Sequence, residues 1–98
     1  MNNFFFGCSS LKKLNISYFN TNNVIFMSYM FGNCSSLEEL NLSNFNTNKV
    51  LDMSGILSRC SSLKELNISN FYISDKIFTN NIFFNCLDEL KNKIKEKN

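Results

Sequence analysis

Four cysteines are the first residues of this sequence that could carry chemistry. They are Cys8, Cys34, Cys60 and Cys86, and each lies 26 residues after the one before. Zinc sites take their ligands in close pairs, often with histidine, and the chain contains no histidine. The spacing therefore argues against a metal centre. Cysteine is small and among the most buried residue types. The regular spacing therefore favours a ladder of free thiols inside the molecule.

Other compositional features narrow the possible functions. Without histidine the chain lacks the commonest general base, and it shows no nucleophile beside a base and no phosphate-binding loop. Its ten Lys and Arg against eight Asp and Glu give a net charge of +2, too balanced to indicate a nucleic-acid surface. The longest apolar runs, such as 4–6, are far shorter than the roughly 18 residues of a membrane helix. We predict a protein that is not an enzyme, binds no cofactor or nucleic acid, and does not span a membrane.

The interval between the cysteines is the period of an internal repeat. Residues 8–33, 34–59 and 60–85 form three units that share the pattern C-S-S-L-x-x-L-N-[IL]-S-x-F. Residues 1–7 match the second half of a unit, so they are interpreted as a partial repeat. A fixed period of this size is the signature of a repeat array.

Each unit divides into two pieces with different periodicity. Residues 40–43 alternate apolar and polar types, which predicts a short strand with one buried face. Val50, Met53, Ile56 and Leu57 recur at helical spacing, which predicts a short helical segment. We therefore predict the α/β class, a leucine-rich-repeat solenoid of about three 26-residue coils with parallel strands, helical segments and a C-terminal helical cap. A competing hypothesis starts a helix at 35–38, where Ser35 and Glu38 could form a capping box.

The two ends of the sequence differ. Residues 86–98 place Leu87, Leu90 and Ile94 on one stripe among Lys and Glu, which predicts a polar helix that covers the last coil. At the other end, Phe4, Phe5 and Phe6 predict an exposed apolar edge. That edge could support end-to-end self-association, or it could belong to a longer array. The N-terminus has no basic region and no long apolar stretch, so export cannot be inferred from it.

Strand alternation also predicts a surface that could bind a partner. Residues between the inward leucines should form three columns on the exposed face of the sheet. The columns are Lys13, Glu39 and Glu65; Asn15, Asn41 and Asn67; and Ser17, Ser43 and Ser69. Two interpretations of the asparagine column stay open: a polar binding face, or a ladder whose amides bond along the stack.

One unit of the sequence resembles the repeats of BspA-like leucine-rich-repeat surface proteins, a family also known as a Mycoplasma-type repeat domain. This unit covers residues 30–54 and reads M-F-G-N-C-S-S-L-E-E-L-N-L-S-N-F-N-T-N-K-V-L-D-M-S. The resemblance covers roughly residues 4–86 and departs from the pattern at Lys76 and Thr79, where Val and Met are expected. It implies a leucine-rich-repeat solenoid, non-enzymatic recognition or adhesion, and a location at the cell surface or outside the cell.

The function predicted from these features is a protein-interaction or adhesion module that binds a protein partner through the strand face. Two alternatives remain open at this stage. The chain could be an intracellular repeat scaffold that uses the same face, or a fragment of a longer repeat protein with no independent function. No sequence feature identifies the ligand.

Overall fold

The computed structural model describes residues 1–97, with side chains through Lys93. It contains strands β1 (Glu39–Asn41) and β2 (Glu65–Asn67) and helix α1 (Asp88–Lys97). The two strands pair in parallel, with Glu39 opposite Glu65, Leu40 opposite Leu66 and Asn41 opposite Asn67. Each residue of β1 thus pairs with the residue 26 positions later in β2, which is the repeat period of the sequence.

The same period governs the backbone outside the strands. Single parallel bridges join Lys13 to Glu39, and Phe26 to Asp52 and on to Phe78. The N–H of Met27 donates to the carbonyl of Asp52 over 2.9 Å. Equivalent segments of successive units consequently lie side by side.

The predicted α/β solenoid of about three coils, each with a strand and a helical segment, is wrong. Residues 1–97 contain two strands of three residues and one helix, and that helix lies after the last unit. The first unit contributes only the isolated bridge at Lys13 to the sheet. Residues 54–59, inside the predicted helical segment of the second unit, form turns, and so do residues 28–33 in the first. The competing helix at 35–38 does not form either, since residues 35–36 are a turn and β1 begins at Glu39.

The predicted helical segments fail because their N–H groups bond to neighbouring units. The N–H of Met53 donates to the carbonyl of Phe78, and that of Gly55 to the carbonyl of Asn80. A helix would need these donors for carbonyls four residues earlier. The buried side chains of Val50, Met53 and Ile56 recur every three residues, and the N–H of Ile56 donates to the carbonyl of Met53, three residues earlier. This spacing of buried side chains resembles one face of a helix, which is why the sequence predicted a helical segment there.

The core runs through all three units and ends against α1. Equivalent positions are buried in the second and third units, as with Leu37 and Leu63 or Phe45 and Phe71. From α1, Leu90 joins this core. The helix occupies the C-terminal segment where the sequence predicts one, with Leu87 half-buried beside it. The side chain of Ile94, the third predicted member of the stripe, lies outside the described residues, as does Asn98.

All four cysteines are free, and the core thiols form the ladder that their spacing predicts. Cys34 and Cys60 are buried, while Cys8 and Cys86 are half-buried. Three thiols donate to a backbone carbonyl 29 residues earlier. These bonds run from Cys34 to Phe5 (3.3 Å), from Cys60 to Phe31 (3.1 Å) and from Cys86 to Leu57 (2.9 Å). Burial raises the pKa of the Cys60 thiol to about 12 and also raises the pKa of Cys34 and of Cys86.

Candidate functional site

The polar strand face is set by the alternation of side chains along β1 and β2. Leu40 and Leu66 point inward and are buried, while the residues on either side of each are exposed. Because successive side chains of a strand point to opposite faces, the inward leucines fix the direction of their neighbours. Glu39, Asn41, Glu65 and Asn67 are thereby presented to solvent in two adjacent rows.

The first column of this face carries mixed charge. Lys13 Nζ lies 3.5 Å from Glu39 Oε2, and Glu39 is in register with Glu65 of the next strand. Both side chains of the ion pair are well exposed, so the pair adds at most about 1 kcal/mol to stability. Within the described residues, Glu65 forms no ion pair.

Each side-chain oxygen of the asparagine column accepts a hydrogen bond from the serine two residues later in the same unit. Asn15 Oδ1 accepts bonds from both the N–H (3.1 Å) and the hydroxyl (2.8 Å) of Ser17. In the next units, Asn41 Oδ1 accepts from the N–H of Ser43 (2.9 Å) and Asn67 Oδ1 from that of Ser69 (3.0 Å). These are Asx turns, which bend the chain where the strand region ends.

Other asparagines make the bonds between units that the ladder interpretation assigned to this column. Asn44 Nδ2 donates to the carbonyl of Ile16 over 3.2 Å, and Asn46 Nδ2 donates to Asn22 Oδ1 over 3.2 Å. The amide–amide bond between units thus joins Asn46 to Asn22 and lies outside the column to which the ladder hypothesis assigned it. The oxygens of Asn15, Asn41 and Asn67 instead hold the geometry of the strand face.

A groove of about 420 Å³ runs over the paired strands. Glu39 and Glu65 line it together with Asn41 and Asn67, so the structure brings four of the nine predicted site residues into one surface depression. The other five do not line it: Lys13 reaches it only through its ion pair with Glu39, and Asn15, Ser17, Ser43 and Ser69 lie outside.

Two lysines of the groove were missed by sequence reasoning. Lys64 precedes β2 directly, and Lys93 belongs to α1. Lys64 could have been found, because it immediately precedes the first column of the predicted face. Lys93 could not, since its place in the groove depends on how α1 packs. The groove thus combines two carboxylates, two ammonium groups and two amides.

Two buried threonines were also missed, although their role is structural. Thr47 Oγ1 donates to the carbonyl of Tyr72 (2.9 Å) and accepts from its N–H (2.7 Å). Thr21 makes the same two contacts with Asn46, at 3.3 and 2.8 Å. The recurrence of F-N-T-N in the first two units, at 19–22 and 45–48, was the signal that could have identified them.

Nearly the whole chain matches one family model. That model, described as Mycoplasma protein of unknown function, DUF285, covers residues 1–97. The chain belongs to this family. The Mycoplasma-type part of the predicted resemblance is confirmed, whereas the BspA-like leucine-rich-repeat assignment is not. No curated protein and no solved structure gives a significant match. Membership of DUF285 carries no assigned function, so the chemistry of the surface has to supply one.

A membrane-crossing helix is not found among residues 1–97. The apolar edge predicted at the N-terminus is only partly exposed. Phe4 and Phe6 are exposed, but Phe5 is half-buried and stacks on Phe31 with ring centroids 5.6 Å apart. The middle phenylalanine therefore belongs to the packed interior.

Proposed function

We propose that this DUF285 chain is a protein-interaction module that binds a protein partner through its polar strand face. The observation that carries the proposal is the groove over β1 and β2, where exposed side chains stand at fixed spacing above buried leucines. A rigid backbone lowers the entropy lost on binding. The resemblance to BspA-like surface proteins supports adhesion as the setting of this recognition.

The charges of the groove indicate the chemistry of the partner. Glu39 and Glu65 lie side by side, and Lys64 and Lys93 line the same groove. A surface with both signs of charge discriminates between partners by pairing, and it offers no continuous basic stripe for a polyanion. The partner surface proposed here is polar and carries at least one Lys or Arg that pairs with Glu65.

The test compares two variants with the same change of charge. Glu39→Gln with Glu65→Gln removes both carboxylates of the groove, whereas Asp75→Asn with Glu89→Gln removes two exposed carboxylates elsewhere. Immobilised wild-type protein should capture a partner from cell-surface or matrix extracts. The groove variant should lose that partner and keep its stability, and the control variant should retain it. Equal recovery by both variants would exclude the strand face.

A further inference from the structure

Two positions of each unit adopt a left-handed backbone conformation. Each column repeats every 26 residues, and its φ angles lie between +54° and +81°. One column contains Asn3, Tyr29, Gly55 and Asn81, and the other contains Gly7, Asn33, Arg59 and Asn85. Glycine and asparagine tolerate this conformation, but other side chains are strained in it. Tyr29 and Arg59 are the two exceptions.

Both exceptions line the same pocket. This pocket has a volume of about 250 Å³ and lies on the turn side of the molecule, away from the strand-face groove. Local strain that recurs at one place is a reason to look for function there. At each of these two positions every other unit carries Asn or Gly, so the phenol of Tyr29 and the guanidinium of Arg59 stand beside this cavity at strained positions.

Two aromatic residues that line the pocket belong to a third set of equivalent positions, one in each unit. The first and last members of this set are large, and the two between them are small. The set contains Phe6, Gly32, Ser58 and Phe84 in successive units. Phe6 leans over Gly32, where an added Cβ would lie 2.9 Å from its ring. The Phe6 ring therefore covers Gly32, and the open space of the pocket lies beside Ser58, with Phe6 and Phe84 also lining it. A flat apolar group fits such a space.

Arg59 supplies a charge at the edge of this space. Its guanidinium carbon lies 5.2 Å from the centroid of the Phe84 ring, which orients the group by a cation–π contact. Among the described residues, Arg59 has no carboxylate within ion-pair distance, and its side chain is solvent-accessible. A planar guanidinium held in this way presents paired N–H donors that match a carboxylate.

We propose that this pocket binds a ligand in which an aromatic ring is joined to a carboxylate. The ring would pack against Phe6 beside Ser58, and the carboxylate would bond to Arg59, which lies over the Phe84 ring. Either a free aromatic acid or the C-terminal residue of a peptide ending in Phe or Tyr provides this chemistry. The site is separate from the strand face, so it does not depend on the function proposed above.

Isothermal titration and amide NMR shifts at low salt would test the site with defined probes. N-acetylphenylalanine should bind at least about tenfold more tightly than N-acetylphenylalaninamide, because the amide lacks the charge. 3-Phenylpropanoate and the peptide Gly-Gly-Ser-Phe distinguish the two sources by their relative affinity. Equal binding of acid and amide, or no binding of any probe at millimolar concentration, would overturn the proposal.

Arg59→Asn separates binding from folding. Asparagine occupies the equivalent positions 33 and 85, so this variant should melt at the same or a higher temperature than wild type. It should nevertheless lose about tenfold in affinity for N-acetylphenylalanine. Lys76→Asn removes the same charge from an exposed site outside the pocket and should bind normally. If Arg59→Asn keeps its affinity, or Lys76→Asn loses as much, the pocket is not the site.

Discussion

At the scale of single residues, Thr47 shows how a side chain can take over the hydrogen bonds of a sheet. Its hydroxyl bonds to both the N–H and the carbonyl of Tyr72 and is completely buried. Two backbone groups of the next unit are thus satisfied where no strand pairing is present. A buried backbone group without a partner costs about 1–3 kcal/mol.

Replacing Thr47 by Val should therefore destabilise the protein by about 2–4 kcal/mol, because the shape is kept while both bonds to Tyr72 are lost. Thr47→Ser keeps the hydroxyl and should cost about 1 kcal/mol for the missing methyl group. Urea unfolding followed by circular dichroism measures both values. A valine variant as stable as the serine variant would contradict the role assigned to the hydroxyl.

The buried thiols predict a second effect at this scale. Burial raises the pKa of Cys60 from its unfolded value of 9.0 to about 12, so between these values the unfolded chain loses a proton that the folded chain keeps. Stability should therefore be full below pH 9 and fall above it, by about 1.4 kcal/mol per pH unit for this thiol.

The measurement is the free energy of unfolding in urea between pH 8 and pH 11, compared with Cys60→Ala. The variant should be less stable overall, because it leaves a cavity, and should show a shallower decline with pH. Parallel slopes would show that Cys60 titrates normally in the folded state. Thiol labelling at pH 8 should also be slow at Cys60 and faster at half-buried Cys8.

At the scale of elements, the segments that resemble helices are stacked turns. The sequence correctly indicates which side chains are buried there, such as Met53 and Ile56, because burial depends on spacing alone. The sequence cannot indicate the backbone conformation of these segments. Successive turns and a helix can both bury Val50, Met53 and Ile56, so the burial pattern does not distinguish them. Bonds from Met53 to Phe78, in the next unit, decide the outcome, and they depend on neighbours that local periodicity does not contain.

On the strand face, too, some residues could be predicted from the local sequence pattern, while others depend on how distant segments pack. Its outward residues follow from alternation around Leu40 and Leu66, so Glu39 and Asn41 were predictable. Lys93 enters the groove only because α1 packs against the last unit. The Asx turn at Asn41 could have been inferred from the Asn-x-Ser spacing, which is typical of a side chain that bonds two residues ahead.

Two glycines test the turns directly. Gly55 has φ +62° and lies beneath the Tyr29 ring, which an added Cβ would overlap, whereas Gly7 has φ +81° and no atom within 4 Å of such a Cβ. Gly7→Ala should cost only the strain of a left-handed alanine, about 1–2 kcal/mol. Gly55→Ala should cost clearly more, because the ring must also move. Thermal unfolding of both variants provides the comparison, and equal losses would mean that Tyr29 does not pack on Gly55.

At the scale of the whole molecule, the two sides of the stack of units differ in how well they cover the core. On the side of the first unit, Leu11 is 39% exposed, whereas its equivalents Leu37 and Leu63 are 1% and 0% exposed. Phe4 adds a second exposed apolar side chain, and Leu14 is only half-buried. On the side of the last unit, Leu90 of α1 is packed into the core. The leucine core is thus less well covered at the first unit than at the last unit, where α1 packs on it.

This asymmetry predicts that two chains associate through the first unit and that growth stops at the dimer. A second copy would cover Leu11 and Phe4, and the small net charge of +2 opposes the contact only weakly. At the other end α1 covers the core through Leu90, so a third chain would meet only separate exposed side chains there, such as Phe78 and Phe84.

Sedimentation equilibrium over a range of concentrations would show an 11.4 kDa monomer in balance with a species of twice that mass. Phe4→Ser combined with Leu11→Ser should weaken the dimer at least tenfold, because each loses most of its apolar contact on association. Phe78→Ser removes an apolar side chain that is 64% exposed on another part of the surface, and it should leave the dimer unchanged. A monomer at all concentrations would show that the first unit does not bind a second copy. Masses beyond the dimer would instead show that α1 does not close the opposite end, because only a second adhesive surface allows a chain of subunits to grow.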